Sequence, residues 1–428
     1  MPLLPYQEAP CQRLQEILIK HGAALDASDT GVGKTYVAVA VAKAIGIPVG
    51  IVCPKSVIPS WKRVCEEAQL QPTFIVNYEL LTRGNTGVLV REGRKFTWAF
   101  QGLVIWDEVH RCRAPASLNA KTLIAAWDTK HIRCLCLSAT SAQNPLEMRA
   151  LGFVLGLHKN YDFWPWAMRL GIKKNRWGGF AWNGTEETLS KIHTQIFPER
   201  GVRVRIKDLG NQFPENQIIP ELVEVGDSAS LAEYREALEE LERLKAQEVV
   251  DYPSVFTAQL RARQKIEILK VPVLVERAQE LLDEGKSVVI FTNFNATLQQ
   301  LAAELNTDCL IHGDQTADER AAAIRHFGLS DSLVCIANIQ AGGVGISLSD
   351  NTGQHPRVAL ICPTYNAVDL RQALGRIHRA DSKSVCQQYI LYAAGTVEER
   401  VFKSVKSKLD RLDLLNDNEL SDSLTLCP

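Results

Sequence analysis

The stretch Ser28-Asp29-Thr30-Gly31-Val32-Gly33-Lys34-Thr35 constrains this chain more than any other. The run Gly22-Ala23-Ala24-Leu25 before it reads as a short buried strand. Tyr36–Lys43 after it is an apolar segment whose only sensible form is a helix packed on a sheet. Strand, loop and helix in that order suit a phosphate cradle. Glycines let successive backbone N–H groups turn inward, and the helix N-terminus adds its positive end. Lys34 reaches the β and γ phosphates, and Thr35 holds Mg²⁺. Such loops usually open on glycine where this one has Ser28, but Gly31 and Gly33 keep the turn feasible. Asp29, Thr30, Gly31, Val32, Gly33, Lys34 and Thr35 are therefore the expected nucleotide contacts, favoured over a bland strand-to-helix turn because the flanking elements fit.

At 428 residues, 46% of them hydrophobic and 23% charged, the chain has room for two or three ordinary globular domains. No apolar run is long enough to span a bilayer, and Met1–Gln7 lacks the charged head and apolar core of a signal peptide, so an intracellular, cytoplasmic protein is expected. The 48 basic residues balance 49 acidic ones, so a polyanion has to be held by a local groove and not by bulk charge. Eleven cysteines without a Cys-x-x-Cys pair, several inside strand-like runs, read as buried free thiols and not as disulfides or zinc ligands.

Taken in order, Gln7 stands before a helical pattern at Cys11–Lys20, where an amide can read an adenine edge or simply sit at the surface. Strand-like runs follow at Pro48–Cys53 and Thr73–Asn77. The run Gln101–Trp106 then leads directly into Asp107-Glu108-Val109-His110. Two adjacent carboxylates at a strand end suit phosphoryl chemistry. Asp107 can sit on Mg²⁺ through water, and Glu108 can orient or deprotonate an attacking water. The strand Arg133–Leu137 ends in Ser138-Ala139-Thr140, whose hydroxyls suit either a relay from the nucleotide or helix capping. From His158 to Gly210 the alternation breaks. Tyr161, Phe163, Trp164, Trp166, Trp177, Phe180 and Trp182 crowd beside Lys173, Lys174 and Arg176, a pattern that favours a small aromatic core over contact with bases.

A linker-like Asn211–Gln217 precedes the strand Ile218–Val225, and Ser230-Leu-Ala-Glu233 reads as a capping box. A second alternating series has strands at Ser287–Thr292, Asp308–Gly313, Ser332–Ala337, Val358–Cys362 and Gln387–Tyr392. This second parallel sheet lacks a phosphate loop, which predicts that nucleotide lies between the two sheets. The glycine-rich Asn338–Ser347, with Gly345, allows close backbone approach to a phosphate or sugar. In Gln372-Ala-Leu-Gly-Arg376-Ile-His-Arg379, a continuous helix would put Gln372, Arg376 and Arg379 on one face, as fingers for charge on a γ-phosphate.

GVGKT, PKSVIPSW, VNYELL, WDEVH and LSAT-x-x-QNP, in that order, resemble motifs I to III of superfamily-two helicases, in the form found in the Snf-type double-stranded DNA translocases. Asn338–Ser347 and Gln372–Arg379 resemble motifs V and VI of the same family, and Ala380-Asp381 replaces the Gly-Gln common in its chromatin remodellers. The resemblance implies an α/β fold of two RecA-like domains with an ATP cleft between them, at 1–212 and 213–428, with a short helical aromatic insertion near 158–210. It assigns Gln7 to adenine, Lys34 and Thr35 to phosphates and Mg²⁺, Asp107 to the metal and Glu108 to the water. Gln372, Arg376 and Arg379 complete the site, and His110 couples it to the second domain. Lys55, Ser56, Asn77, Asn338 and Gln340 match the positions that grip nucleic acid. The implied protein is an ATP- and Mg²⁺-dependent monomeric motor on double-stranded DNA, of bacterial or phage type. A strand-separating DNA or RNA helicase and an ATP-gated DNA-binding module stay open as alternatives.

Overall fold

A computed structural model describes residues 2–84, 86–93, 95–175, 179–226, 231–246, 252–342 and 346–417. The chain forms two compact units. One runs to Gly210, the other from Asn211 to Ser407, and the end of the last helix, from Lys408, belongs with the first.

The first unit contains β1 (Ala23–Asp26), β2 (Val49–Cys53), β3 (Phe74–Asn77), a β4–β5 hairpin (Leu89–Glu92, Lys95–Trp98), β6 (Gly102–Asp107), β7 (Ile132–Leu137), a β8–β9 hairpin (Ile172–Lys174, Phe180–Trp182) and β10 (Gly201–Val202). Its main sheet has the order β10-β1-β7-β6-β2-β3 and is parallel throughout. The strands read as continuous apolar runs because both faces are covered. Leu25, Ile51, Val104, Ile105 and Leu135 are fully buried, and the apolar residues pack as one cluster on each side of the sheet. The helix Lys34–Ile45 follows β1 despite its β-branched valines, because Val37, Val39 and Val41 are buried against the sheet. It stops at Gly46, which takes a left-handed φ of 68° and donates to Ala42 O.

The insertion departs from the sequence expectation. It holds a helix at Phe163–Arg169, the β8–β9 hairpin and a helix at Glu186–Ile196, and then returns to the main sheet as β10 beside β1. A strand of two residues, Gly201–Val202, is too short to show a period-two pattern, which is why it escapes detection. Phe163 and Trp166 are buried, and Trp164 stacks on Phe180 with ring centroids 4.3 Å apart, so these aromatics extend the apolar cluster on one face of the main sheet and do not form a separate core. Trp177 and Arg176 lie outside the described residues.

The second unit contains β11 (Asn216–Val223), β12 (Ser287–Thr292), β13 (Leu310–Ile311), β14 (Val334–Asn338), β15 (Arg357–Ile361) and β16 (Cys386–Ala393). They form a parallel sheet in the order β11-β16-β15-β12-β14-β13. The expected strand Asp308–Gly313 shrinks to two residues at the sheet edge. There Gln315 takes over the pairing, accepting from His312 N and donating to Leu310 O. The capping box at Ser230 lies outside the described residues. One is present further on, where Thr316 and Glu319 cap the helix Ala317–Gly328. The fully buried ammonium of Lys270 sits between both Glu398 oxygens, at 2.8 and 2.9 Å, and Leu391 O.

The last helix, Val397–Asp417, buries Leu412, Leu414 and Leu415, of which Leu414 and Leu415 join the first unit's core. No described helix is long and apolar enough to cross a membrane.

Candidate active site

The first unit gathers its chemistry at the carboxyl ends of β1, β6 and β7. After β1 the chain turns through Gly31 and Gly33, whose φ values of 89° and 87° are strained for any side chain but glycine's. A Cβ at Gly33 would also lie 2.4 Å from Gln7 Nε2. Lys34, half-buried at the helix start, donates to Ser28 O at 2.8 Å and Asp29 O at 2.9 Å. Burial lowers its pKa, and Asp26, Glu108, Asp29 and Asp107 pull the other way, so the ammonium stands in a field of four carboxylates.

Ser28, the departure from a glycine opening, is buried and accepts from Val204 N, while Ser28 N donates to Asp26. The segment after β10 thus pairs with the base of the loop. Leu25 N donates to Arg200 O, Ala27 N to Val202 O and Asp29 N to Val204 O, and Ile206 N donates to the Asp29 carboxylate. The Ser28 hydroxyl adds to that ladder a bond that glycine could not supply.

Gln7 is buried, but its amide is engaged by protein. Nε2 donates to Val32 O at 2.8 Å, and Oε1 accepts from Leu4 N at 2.9 Å. In this conformation it braces the loop.

Asp107 ends β6. Its Oδ2 accepts from the indole of Trp61 at 2.8 Å, and its carbonyl accepts from the Tyr78 hydroxyl at 2.7 Å. Burial and the neighbouring Glu108 raise the carboxyl to about 6, against the lowering effects of Trp61 and Lys34. Glu108 takes the left-handed conformation, φ 55° and ψ 50°, at a cost of roughly 1–2 kcal/mol for a non-glycine residue. That turn brings Glu108 Oε2 to 3.1 Å from His110 Nδ1. The same Nδ1 lies 3.2 Å from Ser138 Oγ and 3.5 Å from Thr140 Oγ1. The adjacent carboxylates, the histidine and the two hydroxyls therefore form one contiguous polar cluster.

Among the described residues no group of three or more histidines, cysteines or carboxylates is arranged to hold a metal ion. A site of one or two carboxylates suits Mg²⁺, which keeps waters and shares phosphates instead of filling a protein cage. An aspartate whose proton affinity is raised beside a second carboxylate fits a bound cation, and the left-handed glycines of the loop fit a close-approaching phosphate.

In the second unit the helix carrying Gln372 ends at Leu374. The expectation of three residues on one helical face is therefore corrected, because the chain turns at Gly375, whose N–H closes back on Arg371 and Gln372. The two arginines come together by another route. Arg376 Nη1 and Arg379 Nη2 both donate to Ile346 O, at 3.1 and 2.7 Å, and Leu348 N donates to Arg376 O. Gln372 and Arg376 are buried. Gly345 lies outside the described residues.

Of the positions matched to a nucleic-acid grip, Lys55, Ser56 and Asn77 follow or end the paired strands β2 and β3, with Lys55 exposed and Asn77 capping the next helix through Leu80 N. Asn338 ends β14 and is held by Asn293 O and Asn295, and Gln340 beyond it is exposed. Sequence reasoning missed Trp61, Tyr78, Arg203 and the end of the last helix. Trp61 stands in a quoted motif string, whereas nothing local to Arg203 announces it.

A phosphate loop, a carboxylate pair and a second RecA-like unit bearing paired arginines define a P-loop ATPase of the helicase type. Residues 270–381 match the helicase conserved C-terminal domain. The chain is 35% identical over 451 residues to a putative ATP-dependent RNA helicase of Acanthamoeba polyphaga mimivirus, covering 98% of this chain and 84% of that protein. It is 23% identical to a probable ATP-dependent DNA helicase of Arabidopsis thaliana, spanning 90% of this chain but 39% of that one. The SWI2/SNF2 ATPase core of Sulfolobus solfataricus, solved in complex with dsDNA, aligns over 94% of this chain and 90% of its own at 17% identity and a TM-score of 0.40. The chain belongs to the Snf-type helicases and ATPases of superfamily two. It is an ATP hydrolase of the nucleic-acid motor class.

Proposed function

We propose that this motor tracks along double-stranded DNA, coupling Mg²⁺-dependent ATP hydrolysis at the Lys34 loop to movement without obligatory strand separation. The observation that carries the chemistry is the Glu108–His110–Ser138–Thr140 cluster beside Asp107 and Lys34. Thr35 and Asp107 hold Mg²⁺. Glu108 activates the water, and His110 reports the state of that carboxylate through Ser138 and Thr140. Arg376 and Arg379 supply the cationic groups that meet charge developing on the γ-phosphate, with Ile346 O pre-aligning both guanidiniums, and the neutral amide of Gln372 completes the set. Backbone N–H groups from Asp29 to Gly33 cradle the phosphates, and Gly345 is taken as a further nucleotide contact. Gln7 reaches adenine only by releasing Val32. Lys55, Ser56, Asn77, Asn338 and Gln340 contact the nucleic-acid backbone.

We take the protein to act as a monomer and in a cytoplasmic setting; the ten described cysteines, all unpaired and buried, support the second of these. A second reading, action on RNA, is favoured by the name of the viral relative. Measuring ATP hydrolysis with duplex DNA, single-stranded DNA and RNA in turn, followed by triplex displacement, distinguishes them. Stimulation by duplex with displacement of the third strand supports tracking on DNA, and stimulation by RNA alone overturns it.

A further inference from the structure

Arg203 follows β10 and is 9% exposed at its side chain. Its guanidinium has three partners in the first unit. It donates to Ala27 O, meets Asp29 Oδ1 at 2.8 Å, and forms a two-pronged pair with Asp417 through Nε at 2.7 Å and Nη2 at 2.8 Å. Burial alone would lower its pKa, but Asp29 and Asp417 outweigh that and leave it raised.

Ala27 and Asp29 flank the first residue of the phosphate loop, and the Ser28 and Asp29 carbonyls are the two acceptors of Lys34. Arg203, through Ala27 and Asp29, and Lys34, through Ser28 and Asp29, therefore hold these three consecutive residues between them and meet at Asp29. The turn of helix that supplies Asp417 is itself fixed. Asn416, fully buried, accepts from Ser141 and donates to Ala139 O, and His193 Nδ1 lies 3.0 Å from Leu415 O. Ala139 sits between Ser138 and Thr140, so one helical turn touches both the loop base and the backbone between the two hydroxyl residues that meet His110.

We infer that Arg203 and Asp417 are positioning residues for ATP hydrolysis, buckling the end of the last helix to the base of the phosphate loop so that Lys34 and the loop N–H groups are set for ATP. A planar guanidinium serves where lysine would not, because it bonds two carboxylates and a carbonyl at once in fixed geometry. This inference rests on the reading of the loop as the ATP site.

The test compares wild type with Asp417→Asn, Arg203→Lys and Arg203→Met in the full chain, measuring ATP kinetics, affinity for a fluorescent ADP analogue with Mg²⁺, and thermal melting. Asp417→Asn raises the nucleotide Kd and the KM for ATP about tenfold, the effect of losing one charge-assisted contact, while kcat changes less and the melting temperature is largely kept. Arg203→Lys gives a smaller rise than Arg203→Met. If Arg203→Met fails to fold, Asp417→Asn and Arg203→Lys decide the matter. Unchanged Kd and KM in the folded variants overturn the inference, as does activity lost only in proportion to unfolded protein. Lys34→Ala keeps the two readings apart. Normal turnover in Lys34→Ala defeats the ATP-site reading, whereas a dead Lys34→Ala beside a normal Asp417→Asn defeats only the buckle.

Discussion

Lys34, Asp107 and Glu108 separate binding from chemistry. Lys34→Ala loses phosphate contact and turnover together. Glu108→Gln keeps the shape of the site but cannot take a proton from water, so turnover falls by about 10²–10⁴-fold while nucleotide still binds; near-normal rates in that variant would displace Glu108 as the base. Asp107 gives a stability prediction with a definite sign. Its folded pKa of about 6 exceeds the ordinary 3.8, so the folded protein holds the proton more tightly than the unfolded chain. The stabilisation from that protonated form is present below about pH 4 and is lost as pH rises through 6. In EDTA at pH 7.5, Asp107→Asn is accordingly more stable than wild type, by roughly 1–3 kcal/mol for a shift of this size, although inactive; a lower melting temperature for Asp107→Asn would contradict the burial argument. These side chains were legible in the sequence because phosphoryl chemistry demands those residue types at strand ends. Trp61 and Tyr78 were not read as part of the site. They reach Asp107 through space, and nothing in residue spacing distinguishes an indole that donates to a carboxylate from one that only fills a core.

At the scale of elements, the two parallel sheets were readable because strands buried on both faces leave long apolar runs between helical patterns. Elements of two residues were less so. β10 has no periodicity and was missed, and β13 was read at Asp308–Gly313 but with too great a length, because the extent of pairing is set by neighbours that the local sequence does not contain. The end of the helix bearing Gln372 was misjudged for a related reason. The spacing of Gln372, Arg376 and Arg379 fits a helix, yet Gly375 closes it early, and Ile346 O gathers the two guanidiniums instead. The buried Lys270–Glu398 pair ties the helix following Lys270 to the start of the last one. Glu398→Gln leaves that ammonium without its counter-charge and destabilises the second unit by about 3–5 kcal/mol, measurable as a lower denaturant midpoint with an unchanged slope. A midpoint shift below about 1 kcal/mol, the level of an exposed pair, would show that the pair is not desolvated.

For the whole molecule, a formal net charge of −1 means that nucleic acid is held by placed residues and not by a general field. Lys55→Ala with Gln340→Ala therefore weakens DNA-stimulated hydrolysis while leaving the rate without DNA nearly unchanged; equal loss in both conditions would move these residues out of the nucleic-acid contact. Steady-state ATP hydrolysis by wild type with and without duplex DNA, with Glu108→Gln as the blank, tests the motor reading most directly. The account predicts a severalfold or greater rise with duplex that Glu108→Gln abolishes. The same rate with duplex DNA, single-stranded DNA, RNA or no nucleic acid would contradict it.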